Sequence, residues 1–198
     1  MSYYYYGSYN ETDFDGEGLL TSAVDGVLTD ASRTIYQTTG HDEAALSSTV
    51  ETLLAKSHIS VSSVNLLTDH GIPEDCDLLL INDPTRDLAA DELEDILEYL
   101  AAGGQVIYNM AGEDLSLPNL ETLCSTYGMD VAPGLIADTQ RYYQNNPYWF
   151  FPLVDNSVDS ASGISNDATL LFCASRGFTL TDPARESITV KSFLTTSE

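Results

Sequence analysis

The clearest hydrophobic and polar pattern in the chain runs from Ile72 to Met110. The apolar run within Asp77 to Ile81 stops at Asn82-Asp83-Pro84, which predicts a buried parallel strand, Asp77 to Asn82, that ends in a turn. An amphipathic helix follows, and its apolar stripe consists of Leu93, Ile96, Leu97 and Leu100. Gly103-Gly104 predict the end of this helix, and Gln105 to Met110 is the next predicted strand. This order is typical of an α/β protein.

Similar patterns predict further elements on both sides of this stretch. The predicted strands are Arg33 to Thr38, Ile59 to Leu67, Met129 to Ala132, Ala168 to Ala174 and Ser187 to Phe193. The predicted helices are Glu17 to Leu28, Glu43 to Lys56 and Pro118 to Tyr127. Residues 1–16 are predicted to be an extended or poorly ordered lead-in, and the aromatic-rich residues 141–167 an irregular loop packed over the sheet. We therefore expect one α/β domain over residues 17–198, a three-layer sandwich with a mostly parallel sheet.

The charge balance restricts the classes of partner. The chain has 198 residues, with 31 acidic against 7 basic ones, and a formal net charge of −24. Such a surface repels phosphate backbones and anionic lipid headgroups, which disfavours nucleic-acid binding or a polybasic membrane contact. A salt-adapted cytosolic protein would also be acidic and poor in lysine, although with a higher total charge density.

The cysteines and the hydropathy exclude two further classes. Cys76, Cys124 and Cys173 are odd in number and widely spaced, which argues against a disulfide framework and against a CxxC site. We interpret each as a small core residue. No apolar run approaches the roughly 18 residues that span a bilayer, and the first ten residues do not resemble a secretory signal, so the chain is expected to be soluble.

Two strand-end loops hold the candidate polar residues, because open α/β sheets bind ligands at the carboxyl ends of their strands. These residues are Thr39, Gly40, His41, Glu43, Asn82, Asp83 and Thr85. His41 with Glu43 suits a general-base pair or a partial metal site, and Asp83 suits a small polar ligand or magnesium. The alternative is structural: Asp42 or Thr39 caps the next helix, Gly40 supplies a special backbone angle, and Asn82-Asp83-Pro84 forms a turn.

A third candidate is aromatic. Tyr148, Trp149 and Phe150 lie in the predicted loop, and such residues dominate binding hot spots, although they also pack into cores. No nucleophile with an adjacent base, no glycine-rich phosphate loop and no clear metal-ligand set occurs in the sequence. We therefore predict no catalytic residues, no metal site and no cofactor.

Four segments in order resemble one family. They are EGLLTSAVDGVLTD (17–30), RTIYQTTGHDE (33–43), GIPEDCDLLLINDPTRDLAADELEDILEYLAAGGQVIY (71–108) and YGMDVAPGLIAD (127–138). The chain resembles the extracytoplasmic domain of the gliding-motility GldG type, also called the auxiliary domain of an uncharacterised ABC-type transport system. The match extends from Glu17 to about Val154. This chain has Asp42 where the family usually has a second glycine.

The resemblance implies a fold similar to flavodoxin-like domains and class I glutamine amidotransferases, without their catalytic residues. It also implies a parent protein anchored in a bacterial cell membrane, with this domain on the extracytoplasmic side and ABC permease and ATPase subunits as partners. The leading hypothesis is a non-enzymatic binding or scaffolding domain, with an envelope component or a small molecule as a further ligand. A hydrolase or amidotransferase-like enzyme using His41, Glu43 and Asp83, and a carbohydrate or peptide binder using the aromatic loop, are the alternatives.

Overall fold

The computed structural model describes residues 2–5, 8–11, 33–110, 115–158, 161–165 and 168–197, the first two ranges by their backbone alone. The predicted helix Glu17 to Leu28 lies outside the described residues. The backbone of Ser2–Tyr5 (β1) pairs in antiparallel fashion with that of Ser8–Glu11 (β2).

A four-stranded parallel sheet organises the chain. Its strands are β3 (Arg33–Thr38), β4 (Ile59–Val64), β5 (Leu78–Asn82) and β6 (Val106–Asn109), in the spatial order β4-β3-β5-β6. All four were predicted within a few residues of these bounds. The register places Ile35 beside Val61 on one side and Leu78 on the other. The parallel sheet confirms the α/β class, while the remaining sheets are antiparallel.

Helices connect these strands. They are α1 (Ser48–Lys56), α2 (Leu66–Asp69), α3 (Ala90–Ala101) and α4 (Pro118–Thr126). The end of α3 is the predicted one: Gly103 has a φ of +100°, and its N–H donates to the carbonyl of Leu100. Gly128 follows α4 with a φ of +79°, and a Cβ there would lie 2.8 Å from the Thr181 carbonyl oxygen. Both stops therefore use a conformation that favours glycine.

The core lies between the parallel sheet and helices α3 and α4. It consists of Val64, Leu66, Leu79, Ile81, Leu88, Ile96, Leu117, Leu120 and Leu123. Successive residues of a strand face opposite sides, and Leu79, Leu80 and Ile81 are all buried. Strand β5 is therefore covered on both faces, as its continuous apolar run predicted. By contrast, Ile107 on the edge strand β6 is 46% exposed.

The predicted start of helix α1 was wrong by several residues. Residues 42–47 contain no regular structure, and Ser47 caps the helix by accepting a hydrogen bond from the Val50 N–H. The backbone N–H and carbonyl of Ala44 form hydrogen bonds with residues of the sheet. Its N–H donates to the Asn82 carbonyl, and its carbonyl accepts from the side chains of Gln37 and Asn82. These bonds hold Ala44 at the end of the sheet and delay the helix, so neither Thr39 nor Asp42 is the cap.

The interpretation of 141–167 as an irregular loop was wrong for its first half. This half forms β8 (Tyr142–Tyr143), β9 (Asn146–Phe150) and β10 (Leu153–Val154). Gln144 and Asn145, between β8 and β9, both have positive φ, of 49° and 57°. Two such residues make the tight turn that suits an antiparallel hairpin. The sequence signal for these strands is therefore the turn and not a hydrophobic period.

The late strands are shorter than predicted. Within Ala168 to Ala174 only β11 (Phe172–Cys173) is a strand, and it pairs with β9. Ser187 to Phe193 is not a strand; β13 (Leu194–Thr195) forms directly after it, where β10 offers its backbone. Strand β12 (Phe178–Leu180) pairs with β7 (Met129–Val131). Local alternation did not locate these strands because their partners decide where they form.

Asp138 holds the end of the described chain in place by hydrogen bonds. Its carboxylate accepts hydrogen bonds from the N–H groups of Gln140 and Arg141 and from both the N–H and the hydroxyl of Ser197, at 2.8 to 2.9 Å. Burial would raise the pKa of Asp138, but these hydrogen bonds outweigh it and hold the pKa well below its usual range.

All three cysteines are free thiols. Cys124 is buried in α4, and burial raises its pKa to about 11, whereas Cys76 is half-buried against the core. Cys173 is exposed, which contradicts its interpretation as a core residue. It lies on β11, a short strand beside β9, and its apolar neighbours in sequence do not bury it.

Candidate functional site

The two predicted polar loops meet at the carboxyl end of the parallel sheet. Strands β3 and β5 are neighbours in the same direction, so the loops that follow them leave the sheet side by side. The carbonyl of His41 accepts hydrogen bonds from the N–H groups of Thr85 and Arg86, at 3.0 and 3.1 Å. The structure therefore brings the two candidate loops into direct contact.

The first loop has a fixed backbone. Gly40 has a φ of +118°, and a Cβ there would approach the Asn65 side chain to 3.0 Å. Asp42 has a φ of +56°, in the left-handed region that favours glycine. Thr39 is exposed, and its N–H and hydroxyl both donate to the Val64 carbonyl. The special angle predicted for Gly40 is confirmed, and Asp42 adopts a second one.

His41 lies buried between two carboxylates, and we call His41, Glu43 and Glu92 the histidine clasp. The imidazole Nδ1 lies 3.2 Å from Glu43 Oε1, and Nε2 lies 2.9 Å from Glu92 Oε2. The three side chains are 8%, 4% and 1% exposed. A carboxylate can only accept, so both contacts are hydrogen bonds when both ring nitrogens carry a proton.

Each glutamate of the clasp also binds backbone. Glu43 Oε2 accepts from the His41 N–H at 2.8 Å, and Glu92 Oε2 accepts from the Ala89 N–H at 2.8 Å. Burial would raise the pKa of Glu43, but hydrogen bonds from the backbone of Glu43 and His41 and from the side chains of Thr38 and His41 outweigh it and lower the pKa. The clasp thereby joins the first loop to the amino end of α3.

The second loop is also committed to structure. Asn82 binds Ala44 with its amide and accepts a hydrogen bond from the Asn109 side chain at 2.9 Å. Asp83 has a φ of +53°, and its N–H donates to the Asn109 carbonyl. Asp87 caps α4, because its carboxylate accepts from the N–H groups of Asn119 and Leu120. The loop is therefore held by hydrogen bonds to the neighbouring strand β6 and to the start of α4.

The geometry of this edge favours a structural role over acid-base chemistry. A general base must reach a substrate, and His41 has carboxylates at both nitrogens and almost no solvent contact. Within the part of the chain that the structure describes, no three His, Cys, Asp or Glu side chains are grouped to hold a metal ion. Of the other candidates in this loop, Asp83 is half-buried and Thr85 is exposed.

The aromatic candidates lie in a different sheet, which we call the aromatic sheet and which contains β8, β9 and β11. Tyr148 and Trp149 are 47% and 37% exposed, whereas Phe150 is buried and stacks on Phe172 with ring centroids 5.9 Å apart. The two alternatives of the sequence interpretation thus apply to different residues. Phe150 packs the core, and Tyr148 and Trp149 form surface.

Sequence reasoning missed Glu92, the second carboxylate of the clasp. A glutamate in the first turn of a helix is a familiar capping signal, and Glu92 does cap by accepting from Ala89. Its burial against His41 depends on a contact across 51 positions of sequence. The periodicity of α3 alone gave no sign of that contact.

The fold defines the class of the protein as mixed α/β with a four-stranded parallel sheet. No family model and no curated protein matches the chain. A solved structure described as "mmIFT52 N-terminal domain" matches with a TM-score of 0.51 and 18% sequence identity, over 75% of this chain and 68% of that chain. At that identity the similarity establishes a related fold and carries no information on function.

Proposed function

We propose that this chain is a non-enzymatic, extracytoplasmic binding or scaffolding domain of an ABC-type transport system of bacteria. The proposal includes the finer fold, a three-layer sandwich of the flavodoxin-like or class I glutamine amidotransferase-like type. Its partners are the permease and ATPase subunits of the same system, and its membrane attachment lies in segments outside this chain.

The observation that carries the proposal is the histidine clasp. The resemblance to the GldG-type family rests in part on the TGH-x-E motif, and the loop formed by this motif is a buried connection between the sheet and α3. A motif whose side chains hold the fold together supports a domain whose function depends on its shape. It argues against an enzyme that uses His41 as a base.

The backbone of Asp42 gives independent support. The family usually has glycine at this position, and Asp42 adopts a left-handed φ of +56°. Aspartate is among the few residues other than glycine that enter this region at modest cost. The substitution is therefore compatible with the loop conformation that a glycine would favour.

The described residues contain no helix long and apolar enough to cross a bilayer. The proposal is tested with the full-length protein in its native membrane. Affinity purification after mild solubilisation is expected to recover an ABC-type permease and its ATPase in stoichiometric amounts. Recovery of the protein without either subunit would contradict the proposal.

A second measurement tests the enzymatic alternative. Amide, ester and glycoside substrates are incubated with the wild-type protein and with Asp83→Asn, which removes the carboxylate of the half-buried Asp83 in the second loop. We expect no turnover by either protein. Turnover that disappears in Asp83→Asn would assign catalysis to the strand-end loops and overturn the non-enzymatic proposal.

A further inference from the structure

The aromatic sheet differs in charge from the rest of the chain. No acidic residue occurs from Thr139 to Val154 or from Ala168 to Thr181, although the chain has 31 of them among 198 residues. These two segments supply β8, β9 and β11. The surface that they form is therefore uncharged or locally basic within a protein of net charge −24.

One face of this sheet presents a row of aromatic rings. Trp149 pairs across the sheet with the exposed Cys173, so the two share a face. Phe151 directly follows β9 and lies two residues after Trp149, which places it on that face as well, and the ring of Tyr143 contacts Phe151 edge-on at 6.1 Å. Trp149 and Tyr143 are 37% and 41% exposed. Tyr148 lies on the opposite face of the same strand.

A cleft of about 330 Å³ continues from Phe151. It is lined by Arg141, Phe151, Pro152, Ala168, Thr169 and Leu170. The guanidinium of Arg141 is held in this lining, because Nε donates to the Phe151 carbonyl at 3.0 Å. The cleft thus combines an aromatic wall with a guanidinium and a hydroxyl, and its volume is at the lower end for a small-ligand site.

We propose that this face binds a neutral oligosaccharide, with one sugar ring in the cleft and the next stacked on Trp149 or Tyr143. A pyranose has an apolar C–H face that packs against an aromatic ring, and hydroxyls that pair with guanidinium and hydroxyl groups. An anionic polymer is repelled by the net charge, and a cationic partner is attracted to the acidic remainder of the surface. The uncharged face favours an uncharged ligand.

The inference rests on the proposed function, in that a binding domain requires a ligand surface. Trp149 is the only tryptophan, so its fluorescence reports on this face directly. The protein is titrated with cellohexaose, maltohexaose and chitohexaose. We expect at least one to shift the Trp149 emission in a saturable manner and to release heat in calorimetry.

The variants locate the site. Tyr143→Ala, followed by fluorescence, and Trp149→Ala, followed by calorimetry, are each expected to weaken binding roughly tenfold or more. Tyr148→Ala is the matched control, since it removes an exposed ring from the other face, and binding is expected to stay within about twofold. Thermal melts of each variant establish that it folds.

Absence of emission change and of heat with all three hexasaccharides would overturn the inference. Saturable binding of an uncharged apolar peptide in their place would overturn the ligand class, and equal losses in Tyr148→Ala and Tyr143→Ala would overturn the assignment of the face. Each of these results leaves the recovery of permease and ATPase unchanged, so failure of this site is distinguishable from failure of the proposed function.

Discussion

The strand-end loops and the aromatic sheet use their side chains in opposite ways. At the strand ends, the buried His41 binds the side chains of Glu43 and Glu92, which are 4% and 1% exposed. On the aromatic sheet, Tyr148 and Trp149 lie at the surface. The polar residues that look most like chemistry in the sequence maintain the architecture, whereas two of the three aromatic candidates, Tyr148 and Trp149, are accessible to a partner.

The difference shows why position in an α/β fold does not decide function. The carboxyl edge of a parallel sheet is the usual ligand site, because loop backbone and strand ends converge there. In this chain, Ala44, Asn82 and Asn109 at this edge are hydrogen-bonded to one another. This edge has the location of the usual ligand site, but the polar groups of Ala44 and Asn82 there are already hydrogen-bonded.

The largest expected effect comes from a substitution that breaks the histidine clasp. His41→Ala leaves two buried carboxylates without their shared partner, and we expect the free energy of unfolding to fall by about 3–5 kcal/mol. Chemical denaturation measures this loss. His70→Asn, an exposed histidine whose positive φ asparagine tolerates, is the control and should change stability by less than about 0.5 kcal/mol. A loss below about 1 kcal/mol in His41→Ala would refute the structural role of the clasp.

Acidification should destabilise the strand-end loops through Glu43 and should weaken the contact between the segment before β8 and Ser197 through Asp138. Each has a lowered pKa in the folded state, so its stabilisation is complete above the ordinary carboxyl pKa of about 4 and is lost as the pH falls through the folded value. Asp138→Asn should cost about 1–3 kcal/mol at pH 7, because the Ser197 and Arg141 donors lose an ionised acceptor. Urea midpoints from pH 7 to pH 3 should decline less steeply in this variant than in the wild type. An equal pH slope in the two proteins would argue against the stabilising role of the Asp138 carboxylate.

Salt should act on the acidic surface outside the aromatic sheet. It should leave the contrast between the strand-end loops and the aromatic sheet unchanged. Screening reduces the repulsion within a chain of net charge −24, so raising NaCl from about 0.05 to about 1 M should stabilise it by on the order of 1 kcal/mol. Melting temperatures measure the trend. A variant with the exposed Glu51, Glu94 and Glu98 changed to Gln should show a smaller increase. Equal salt dependence in both proteins would contradict an electrostatic origin.

The smallest expected effect on stability comes from the exposed rings. Trp149→Ala and Tyr148→Ala each remove a side chain that is more than a third exposed, and both should change the free energy of unfolding by less than about 1 kcal/mol. Phe150→Ala, at the buried neighbour, should cost about 3–5 kcal/mol. Chemical denaturation of the three variants gives the order directly. A Trp149→Ala loss as large as that of Phe150→Ala would make Trp149 a core residue.

Continuous apolar runs and glycine stops predicted the parallel sheet well. The run in β5 and the stop at Gly103 are local signals, and the structure places both within a residue or two of the prediction. The hairpin of the aromatic sheet was missed because its signal is a turn at Gln144-Asn145 and not a period. The clasp was half predicted: His41 and Glu43 are neighbours in sequence, whereas Glu92 reaches them only after folding.

The most direct test of the account is the recovery of partners by the full-length protein from its native membrane, performed in parallel on the wild type and on Asp83→Asn. The account predicts that an ABC-type permease and ATPase accompany both proteins in equal amounts, because the strand-end loops serve the architecture of a binding domain. Recovery of neither subunit by the wild-type protein would contradict it.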